Sequence, residues 1–244
     1  MISQIGFGGY PMRQLSMEDA IELIRFAYDS GITLFDTARD YENSEQKLGI
    51  ALKPIRDKIT ICSKMGDRCP DGYFDANLQQ SLDTLQTDYL DIYCFQGIHN
   101  IPQYNKFMEK IMPHMIRIRD KGIIKKIGIT GHDLETMEFA FQNPDIEVYE
   151  FPMNILYKEP IKRLVPLFKD SKKMLFAIKP IGGPDNYHFF RKNEECLPYI
   201  NEFSKWFAPE LALNYLKQFP EITSILLGFT AKEQIIEDLK IMRD

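Results

Sequence analysis

The sequence predicts an α/β protein folded as a (β/α)8 barrel, the TIM barrel architecture. Short apolar, β-prone runs alternate with longer amphipathic stretches along the chain, a pattern that indicates parallel strands joined by helices. Eight strand–helix units over 244 residues average about 30 residues each, which is near the lower size limit of this fold. A doubly wound open sheet is the alternative, but the GxGxxG turn that usually opens such a sheet is absent.

The elements follow one another in strict alternation. The eight predicted strands are residues 5–8, 32–35, 59–62, 90–95, 123–129, 148–151, 174–178 and 222–227. Helices are predicted at residues 17–29, from near 44, and at 77–86, 113–121, 209–219 and 232–242. Ser16 precedes the first of these helices as a plausible N-cap. Strands seven and eight are separated by an unusually long interval, whose part 182–207 is rich in aromatic residues. We expect either a functional loop over the barrel mouth or an extra helix packed on the barrel.

Composition and charge exclude several classes of protein. The 30 basic and 35 acidic side chains give a net charge of −5, so a nucleic-acid partner held by counterion release is not expected. No apolar run approaches the roughly 18 residues needed to cross a bilayer, and the N-terminal residues do not resemble a secretory signal. We therefore expect a soluble, cytoplasmic protein with a single barrel domain over residues 1–244 and no membrane partner. The sequence carries no signal for the oligomeric state.

Cysteine and histidine spacing gives no sign of a metal site. The four cysteines form no CxxC pair, and the four histidines show no i, i+4 spacing. We expect reduced, unpaired thiols and no bound metal.

Catalytic groups of barrel enzymes lie at the C-terminal ends of the strands. The residues at or near these ends are Asp36, Lys64, Gln96, Thr130, Glu150, Asn154, Lys179 and Gly228. Asp36 and Lys64 each follow an apolar stem, and a charge at the end of a buried strand is costly to desolvate without a partner. An ion pair between Asp36 and Lys64, on adjacent strands, would satisfy both.

Tyr41 follows Asp36 in the loop before the second helix, which places a phenol over the mouth within reach of Lys64. A neighbouring ammonium group stabilises the phenolate and lowers the pKa of a tyrosine. We therefore expect Tyr41 to have a lowered pKa and to donate a proton near neutral pH. Structural salt bridges are commoner than catalytic trios of this composition. The sequence around Tyr41 is therefore needed to distinguish the structural interpretation from the catalytic one.

The local sequence resembles the signature DTAxxYGxSExxLG of the aldo-keto reductase family. The matching residues are Asp36-Thr37-Ala38, Tyr41, Ser44-Glu45 and Leu48-Gly49, with Glu42 where the family usually has glycine. Further matches occur in family order over nearly the whole chain: IGFGG, TLQTDYLDIY, GIIKKIGIT, FPMN, KPIGG and LLGFTAKEQIIEDL.

The resemblance implies an NAD(P)H-dependent oxidoreductase that reduces the carbonyl group of a small aldehyde or ketone. In this interpretation Tyr41 is the proton donor, Lys64 tunes it and Asp36 holds Lys64. Gln96 stands where the family has its catalytic histidine; an amide can orient a carbonyl oxygen but cannot protonate it. His99, three residues later, is an alternative to that histidine.

The resemblance also implies a cofactor site, with NADPH favoured and NADH as the alternative. Its candidate residues are Gly9, Tyr10, Thr130, Glu150, Lys179, Pro180, Gly182, Gly228, Phe229, Thr230, Gln234 and Asp238. The nicotinamide end differs from the family pattern, with Thr130, Gly131 and Glu150 in place of serine, asparagine and glutamine. The phosphate end has the KPIGG turn and a helix N-terminus, both suited to an anion. Near that helix, Gln234 and Asp238 replace the arginine and asparagine of many relatives, and Lys232 is an alternative contact for a 2′-phosphate.

Two functional hypotheses follow. The intact Asp36, Tyr41 and Lys64 trio favours a reductase. The changes at Gln96, Gly131 and Glu150 favour a catalytically weakened, reductase-like protein that binds a nucleotide as a sensor or accessory subunit.

Overall fold

A computed structural model of the chain describes residues 1–66, 73–181 and 209–243. Eight parallel strands in chain order form a closed barrel. They are β1 (Ile5–Gly8), β2 (Leu34–Asp36), β3 (Thr60–Gly66), β4 (Leu90–Ile98), β5 (Ile124–Gly131), β6 (Val148–Pro152), β7 (Met174–Ile178) and β8 (Ile222–Gly228). Pairing of β1 with β8 closes the sheet on itself. The predicted (β/α)8 barrel is therefore confirmed, and the open sheet is excluded.

Helices connect the strands around the outside of the barrel. They are α1 (Met17–Asp29), α2 (Ser44–Leu52), α3 (Phe74–Leu85), α4 (Ile101–Lys110), α5 (Met112–Asp120), α6 (Leu134–Ala140), α7 (Glu159–Arg163), α8 (Pro209–Leu216) and α9 (Lys232–Arg243). Short 3-10 turns add Pro11–Gln14, Lys53–Lys58 and Val165–Phe168. None of the helices in the described ranges is both long and apolar enough to span a bilayer. The predicted aromatic segment 182–207 lies outside the described residues.

The Ser16 cap forms as its sequence position suggests, because its hydroxyl accepts the backbone N–H of Asp19 at 3.0 Å. Three helices were not predicted: α4, α6 and α7. Of the α4–α5 pair only α5 was predicted, because Pro113 marks its first turn. The preceding helix, α4, has its own N-cap, since the Asn100 side chain accepts the N–H of Gln103 at 2.9 Å. The other two are short, at seven and five residues, too short for a clear helical period.

Several strands run further toward the C-terminal side than their apolar runs predicted. β3 continues to Gly66 and β4 to Ile98, so that Lys64 and Gln96 belong to the strands themselves. Polar residues can extend these strands because their backbone groups stay paired with neighbouring strands, Lys64 opposite Cys94 and Gln96 opposite Thr130. The side chains that carry charge therefore stand on the barrel wall, where their positions are fixed.

The interior of the barrel forms its own apolar cluster. Its buried members are Leu34, Cys62, Ile92, Cys94, Val148, Phe176 and Leu226. A larger cluster packs between the strands and the helices outside. Because the interior is filled by side chains, as in other barrels of this size, polar groups at the upper ends of the strands rest on an apolar floor.

A buried lysine fastens the first loop to α2. Lys47 is fully buried, and its ammonium group donates to the carbonyl oxygens of Met12 and Leu15 at 2.9 and 2.8 Å. Burial lowers the pKa of Lys47. These bonds satisfy carbonyl groups of the turn after β1 and hold that turn beside the loop that carries Tyr41.

That loop contains a residue in the left-handed conformation. Glu42 has φ of 47°, a region that glycine occupies freely and other residues occupy at a cost. This backbone geometry explains why a glycine suits the position in the signature to which the loop is similar. The Glu42 carboxylate lies 3.3 Å from the Arg13 guanidinium, but the Glu42 side chain is 64% exposed, so the ion pair stabilises little.

We predict that Glu42→Gly raises the free energy of unfolding by about 1 kcal/mol, because it removes the left-handed strain. The expected rise in Tm is roughly 2–4 °C for a chain of this size, measured by circular dichroism. Glu42→Ala is the matched control, since it removes the same ion pair and keeps the strain. Equal stability of the two variants would show that the backbone conformation is not the source of the effect.

Candidate active site

A buried ammonium group lies at the centre of the barrel mouth. Lys64 Nζ donates to Asp36 Oδ1, forming the expected ion pair, and to the carbonyl oxygen of Thr37 at 3.1 Å. A second carboxylate, Glu150 Oε2, lies 3.3 Å from the same nitrogen. The exposed fraction of each of the three side chains is below 10%. Lys64 thus sits between two carboxylates and one carbonyl.

This arrangement sets the charges at the mouth. Burial alone would lower the pKa of Lys64, but Asp36 and Glu150 together raise it well above its ordinary value. Burial and the negative charge of Asp36 raise the pKa of Glu150 to about 8. Lys64 is therefore charged over the whole physiological range, while Glu150 binds a proton more readily than an ordinary carboxyl group.

The phenol of Tyr41 lies beside this group. Lys64 Nζ is 5.9 Å from the centroid of the Tyr41 ring, and the Tyr10 ring meets it edge-on at 5.0 Å. The loop is held by backbone bonds from Tyr41 N–H to Ala38 O at 3.0 Å and from Ser44 N–H to Tyr41 O at 2.9 Å. Sequence positions far from one another thus converge on one point of the mouth.

The expected lowering of the Tyr41 pKa is wrong. Burial raises the pKa of Tyr41 above its ordinary value; Lys64 lowers it, but the carboxylates of Asp36 and Glu150 raise it further. The expectation considered the ammonium group but not the burial of the phenol, which raises the pKa most, or the two carboxylates, which oppose the effect of Lys64. Tyr41 is consequently a neutral phenol at physiological pH, which is the form that can donate a proton.

The loop itself depends on a buried acidic residue of the signature. Glu45 is 1% exposed, and its carboxylate pairs with Arg39 at 2.7 Å and accepts the Ser63 hydroxyl at 2.7 Å. Ser63 neighbours Lys64 on β3. Glu45 therefore joins the start of α2 to the strand that carries the ammonium group, a role that its place in the motif does not disclose.

Gln96 lies on β4 opposite Thr130 of β5. Its Oε1 atom is buried and accepts no hydrogen bond from the described residues, so the amide has bonding capacity left for a ligand. His99 is exposed beyond the end of β4, with its ring 6.0 Å from that of His132. Burial, followed by the charges of Lys179 and His99, lowers the pKa of His132 to about 4. The two imidazoles form a pair at the rim.

Gly9 and Tyr10 follow β1 at the rim. The Gly9 N–H donates to Asp36 O at 2.7 Å, and a Cβ atom at Gly9 would lie 2.5 Å from Ser44 Oγ. This glycine is therefore required by the packing of two loops. Tyr10 is 41% exposed and carries the Arg13 guanidinium 4.0 Å above its ring, so its outer face is available to a ligand at the mouth.

The predicted phosphate turn begins after β7. Lys179 has φ of 55°, and its carbonyl accepts from Asn154 Nδ2 at 3.4 Å. Pro180 is buried, and Gly182 lies outside the described residues. The left-handed Lys179 backbone marks the point where the chain turns away from the barrel wall.

The end of β8 and the turn after it carry three of the predicted cofactor-binding residues, Gly228, Phe229 and Thr230. The Phe229 side chain is 1% exposed and its ring centroid lies 5.5 Å from that of Phe7, so this side chain packs in the apolar core. Gly228 faces Pro11, and a Cβ atom there would lie 2.3 Å from Pro11 Cγ. Thr230 is exposed, so its hydroxyl and the backbone of this turn are left to meet a ligand.

Two backbone N–H groups just before α9 already have a hydrogen-bond partner within the protein. Gln234 Oε1 accepts the N–H groups of Thr230 and Ala231 at 2.8 and 3.1 Å, the donors expected to bind a phosphate. Lys232, the alternative phosphate contact, forms an ion pair with Glu22 of α1. A bound phosphate would have to displace both interactions.

Asp238, the residue predicted to contact adenine, lies on α9. It is 4% exposed, and burial, with a smaller contribution from Glu237, raises its pKa to about 6. The carboxyl group therefore faces the protein rather than an open surface, because α9 turns this residue toward the barrel.

Comparisons with known proteins agree with this architecture. The sequence model of the Aldo/keto reductase family matches residues 4–243. L-galactose dehydrogenase of Arabidopsis thaliana is 24% identical over 269 residues, covering 98% of this chain and 83% of that protein. NADH-specific methylglyoxal reductase of Escherichia coli is 24% identical over 281 residues, covering 96% of this chain and 86% of that protein.

Solved structures share the fold at lower identity. A putative aldo-keto reductase from Pseudomonas aeruginosa superimposes with a TM-score of 0.79 at 17% identity, covering 99% of this chain and 90% of that chain. An aldo/keto reductase from Klebsiella pneumoniae, in complex with NADP and acetate, also gives a TM-score of 0.79, at 20% identity over 100% of this chain and 87% of that chain.

We predict that Asp238→Asn stabilises the protein above pH 6 and not near pH 4. The folded pKa of about 6 exceeds the ordinary value of 3.8, so the stability contributed by protonated Asp238 is lost as pH rises through this window. The neutral amide avoids that loss, so the difference in stability is expected at pH 8 and not at pH 4. Urea unfolding at pH 4 and pH 8 measures the difference.

Glu233→Gln is the control, since Glu233 is exposed on the same helix and its neutralisation makes the same change in net charge. A gain of equal size at both pH values in Asp238→Asn would contradict the assigned titration.

Proposed function

Since this chain belongs to the Aldo/keto reductase family, we propose that it is an oxidoreductase that uses NADPH or NADH to reduce the carbonyl group of a small aldehyde or ketone. The observation that carries the proposal is the Lys64 ammonium group, buried between Asp36 and Glu150 beside the phenol of Tyr41. The neutral phenol of Tyr41, beside an ammonium group that two carboxylates balance, is suited to protonating an oxygen atom as negative charge develops on that atom.

A dihydronicotinamide held at the rim near Gln96 and Thr130 would provide the hydride needed at the carbonyl carbon. As the C=O π electrons move onto oxygen, the Tyr41 O–H bond breaks and its proton passes to that oxygen. The phenolate left behind is stabilised by Lys64, whose charge lowers the cost of ionising the phenol. Asp36 and the Thr37 carbonyl hold Lys64 in place, so the ammonium group needs no reorganisation during the step.

Gln96 takes the position of the family histidine in this proposal. Its amide has a buried oxygen without a partner among the described residues, which can accept a hydrogen bond from the NH2 of a nicotinamide carboxamide, while the NH2 of Gln96 can donate to a carbonyl oxygen. It orients a ligand without supplying a proton. Tyr41 is then the proton source.

The residues of the rim suit a nicotinamide nucleotide. Thr130 and Gln96 flank each other at the end of two strands, where a carboxamide would find polar partners, and Lys179 supplies a cation for a pyrophosphate. The NADP complex of the Klebsiella enzyme and the NADH specificity of the Escherichia coli relative support this cofactor class. That relative, a methylglyoxal reductase, also supports a small carbonyl compound as the substrate.

A second candidate function is a weakened, reductase-like nucleotide-binding protein. The observation that favours it is the orientation of Glu150, whose two oxygens face Lys64 and Cys62 at 3.3 Å each. A carboxylate engaged in this way holds a nicotinamide less well than the usual amide. Nucleotide binding without turnover on any carbonyl would select this function over the first.

We predict that Tyr41→Phe lowers kcat by roughly 10²–10⁴-fold, because it removes the proton donor. Oxidation of NADPH is followed by absorbance with a panel of small aldehydes and ketones, and nucleotide fluorescence measures binding. Nucleotide affinity is expected to stay within about twofold, since the benzyl ring is retained. Tyr89→Phe, which removes a phenol just before β4 at the opposite end of the barrel, should leave both measurements unchanged. Retention of kcat in Tyr41→Phe would refute the assigned donor.

We predict that Glu22→Gln shifts cofactor preference toward NADPH. Freed from its ion pair, Lys232 can meet a 2′-phosphate, and the KM for NADPH is expected to fall by about two- to fivefold. The KM for NADH should not change, because NADH lacks that phosphate. Lowering the salt concentration should enlarge the effect.

Glu135→Gln, a like change on α6, controls for net charge, and Lys232→Ala should raise the KM for NADPH alone. Parallel changes in the KM values of both cofactors would mean that Lys232 does not meet the 2′-phosphate.

A further inference from the structure

Two thiols and a carboxylate meet inside the barrel below the candidate active site. Cys62 Sγ and Cys94 Sγ are 3.7 Å apart, and Glu150 Oε1 lies 3.3 Å from the first and 4.0 Å from the second. All three side chains are almost completely buried. They come from β3, β4 and β6, so three separate strands direct possible metal ligands to one point.

The spacing of these atoms fits a tetrahedral ion. Zinc lies about 2.3 Å from cysteine sulfur and about 2.0–2.2 Å from carboxylate oxygen. In a tetrahedron these bond lengths place the two sulfur atoms about 3.8 Å apart and each sulfur about 3.6 Å from the oxygen. The observed separation of the two sulfur atoms, 3.7 Å, is close to the first of these values. The two sulfur–oxygen separations, 3.3 and 4.0 Å, lie on either side of the second. An ion can therefore enter with shifts of a few tenths of an ångström.

The surroundings also support a ligand set. The second oxygen of Glu150 is held by Lys64 at 3.3 Å, which leaves Oε1 directed toward the thiols. Outer contacts of this kind orient metal-binding carboxylates. When Zn²⁺ binds, each thiol gives up its S–H proton to solvent, and two thiolates balance the two positive charges of the ion.

We propose that Cys62, Cys94 and Glu150 supply three ligands of a binding site for Zn²⁺. The site is additional to the proposed reductase function and does not depend on it. Ligand spacing along the chain gives no sign of the site, because 32 residues separate the two cysteines and 88 separate Cys62 from Glu150. Closure of the barrel brings them together.

The test measures metal directly. The full-length, untagged protein is reduced, incubated overnight with Zn²⁺ and passed through a desalting column, and its zinc content is determined by mass spectrometry. We expect one zinc per chain and a rise in Tm of several degrees, because a ligand that binds the folded state stabilises it. Incubation with Co²⁺ should give the visible absorption of a tetrahedral site with sulfur-to-cobalt charge transfer.

Variants assign the ligands. Cys94→Ala and Glu150→Gln are each expected to weaken zinc binding at least tenfold and to remove or alter the cobalt spectrum. The double variant Cys69→Ser and Cys196→Ser, which removes the other two cysteines of the chain, should bind zinc like the wild type. Circular dichroism verifies that each variant is folded, and Cys62→Ser replaces Cys94→Ala if that variant is not.

Two outcomes would overturn the proposal. One is a folded wild-type protein that retains no zinc and shows no change in Tm at micromolar Zn²⁺. The other is zinc binding that survives in Cys94→Ala or is lost in the Cys69 and Cys196 double variant. In either case the two thiols of the barrel interior serve only as small apolar side chains.

Discussion

The candidate site depends on the cost of burying one positive charge. An ammonium group taken out of water must be compensated by nearby negative charge and hydrogen bonds. Lys64 meets this requirement through Asp36 and the neighbouring Thr37 carbonyl at the end of β2, and through Glu150 of β6. The ends of β2, β3 and β6 must therefore adopt fixed positions around it, and the loop carrying Tyr41 begins from one of these ends.

The same requirement explains how far the site could be predicted. Asp36 and Lys64 follow apolar stems on adjacent strands, so their pairing could be inferred from the cost of leaving either charge alone. The direction of the Tyr41 pKa shift could not be inferred in this way. It depends on the depth of burial of the phenol and on the charge of Glu150, which is distant from Tyr41 in sequence. Local sequence patterns indicate which strand a residue ends. They do not indicate how many charged groups lie close to that residue in the folded barrel.

Boundaries and end contacts show a similar division. The barrel followed from the alternation of strands and helices, because that pattern repeats along the chain and a few misplaced ends do not disturb it. The contacts of Gln234, Lys232 and Phe229 could not be predicted from local sequence patterns. Each of these residues has partners within the protein, in the turn before α9, in α1 and in β1. At this rim a cofactor would exchange internal hydrogen bonds for external ones, and such exchanges yield a small net free energy for each contact.

Pairing between the first and last strands has a consequence for how the protein is made. The Ser224 hydroxyl reaches the carbonyl of Gln4 at 3.4 Å, across a sequence separation of 220 residues, and β1 can pair with β8 only after nearly all of the chain has left the ribosome. Until then the growing sheet has two unpaired edges, each a template for association with another chain. Loop closure over such a distance is also entropically costly and slow. Synthesis of this barrel therefore includes an interval of exposure to aggregation that ends only with its final strand.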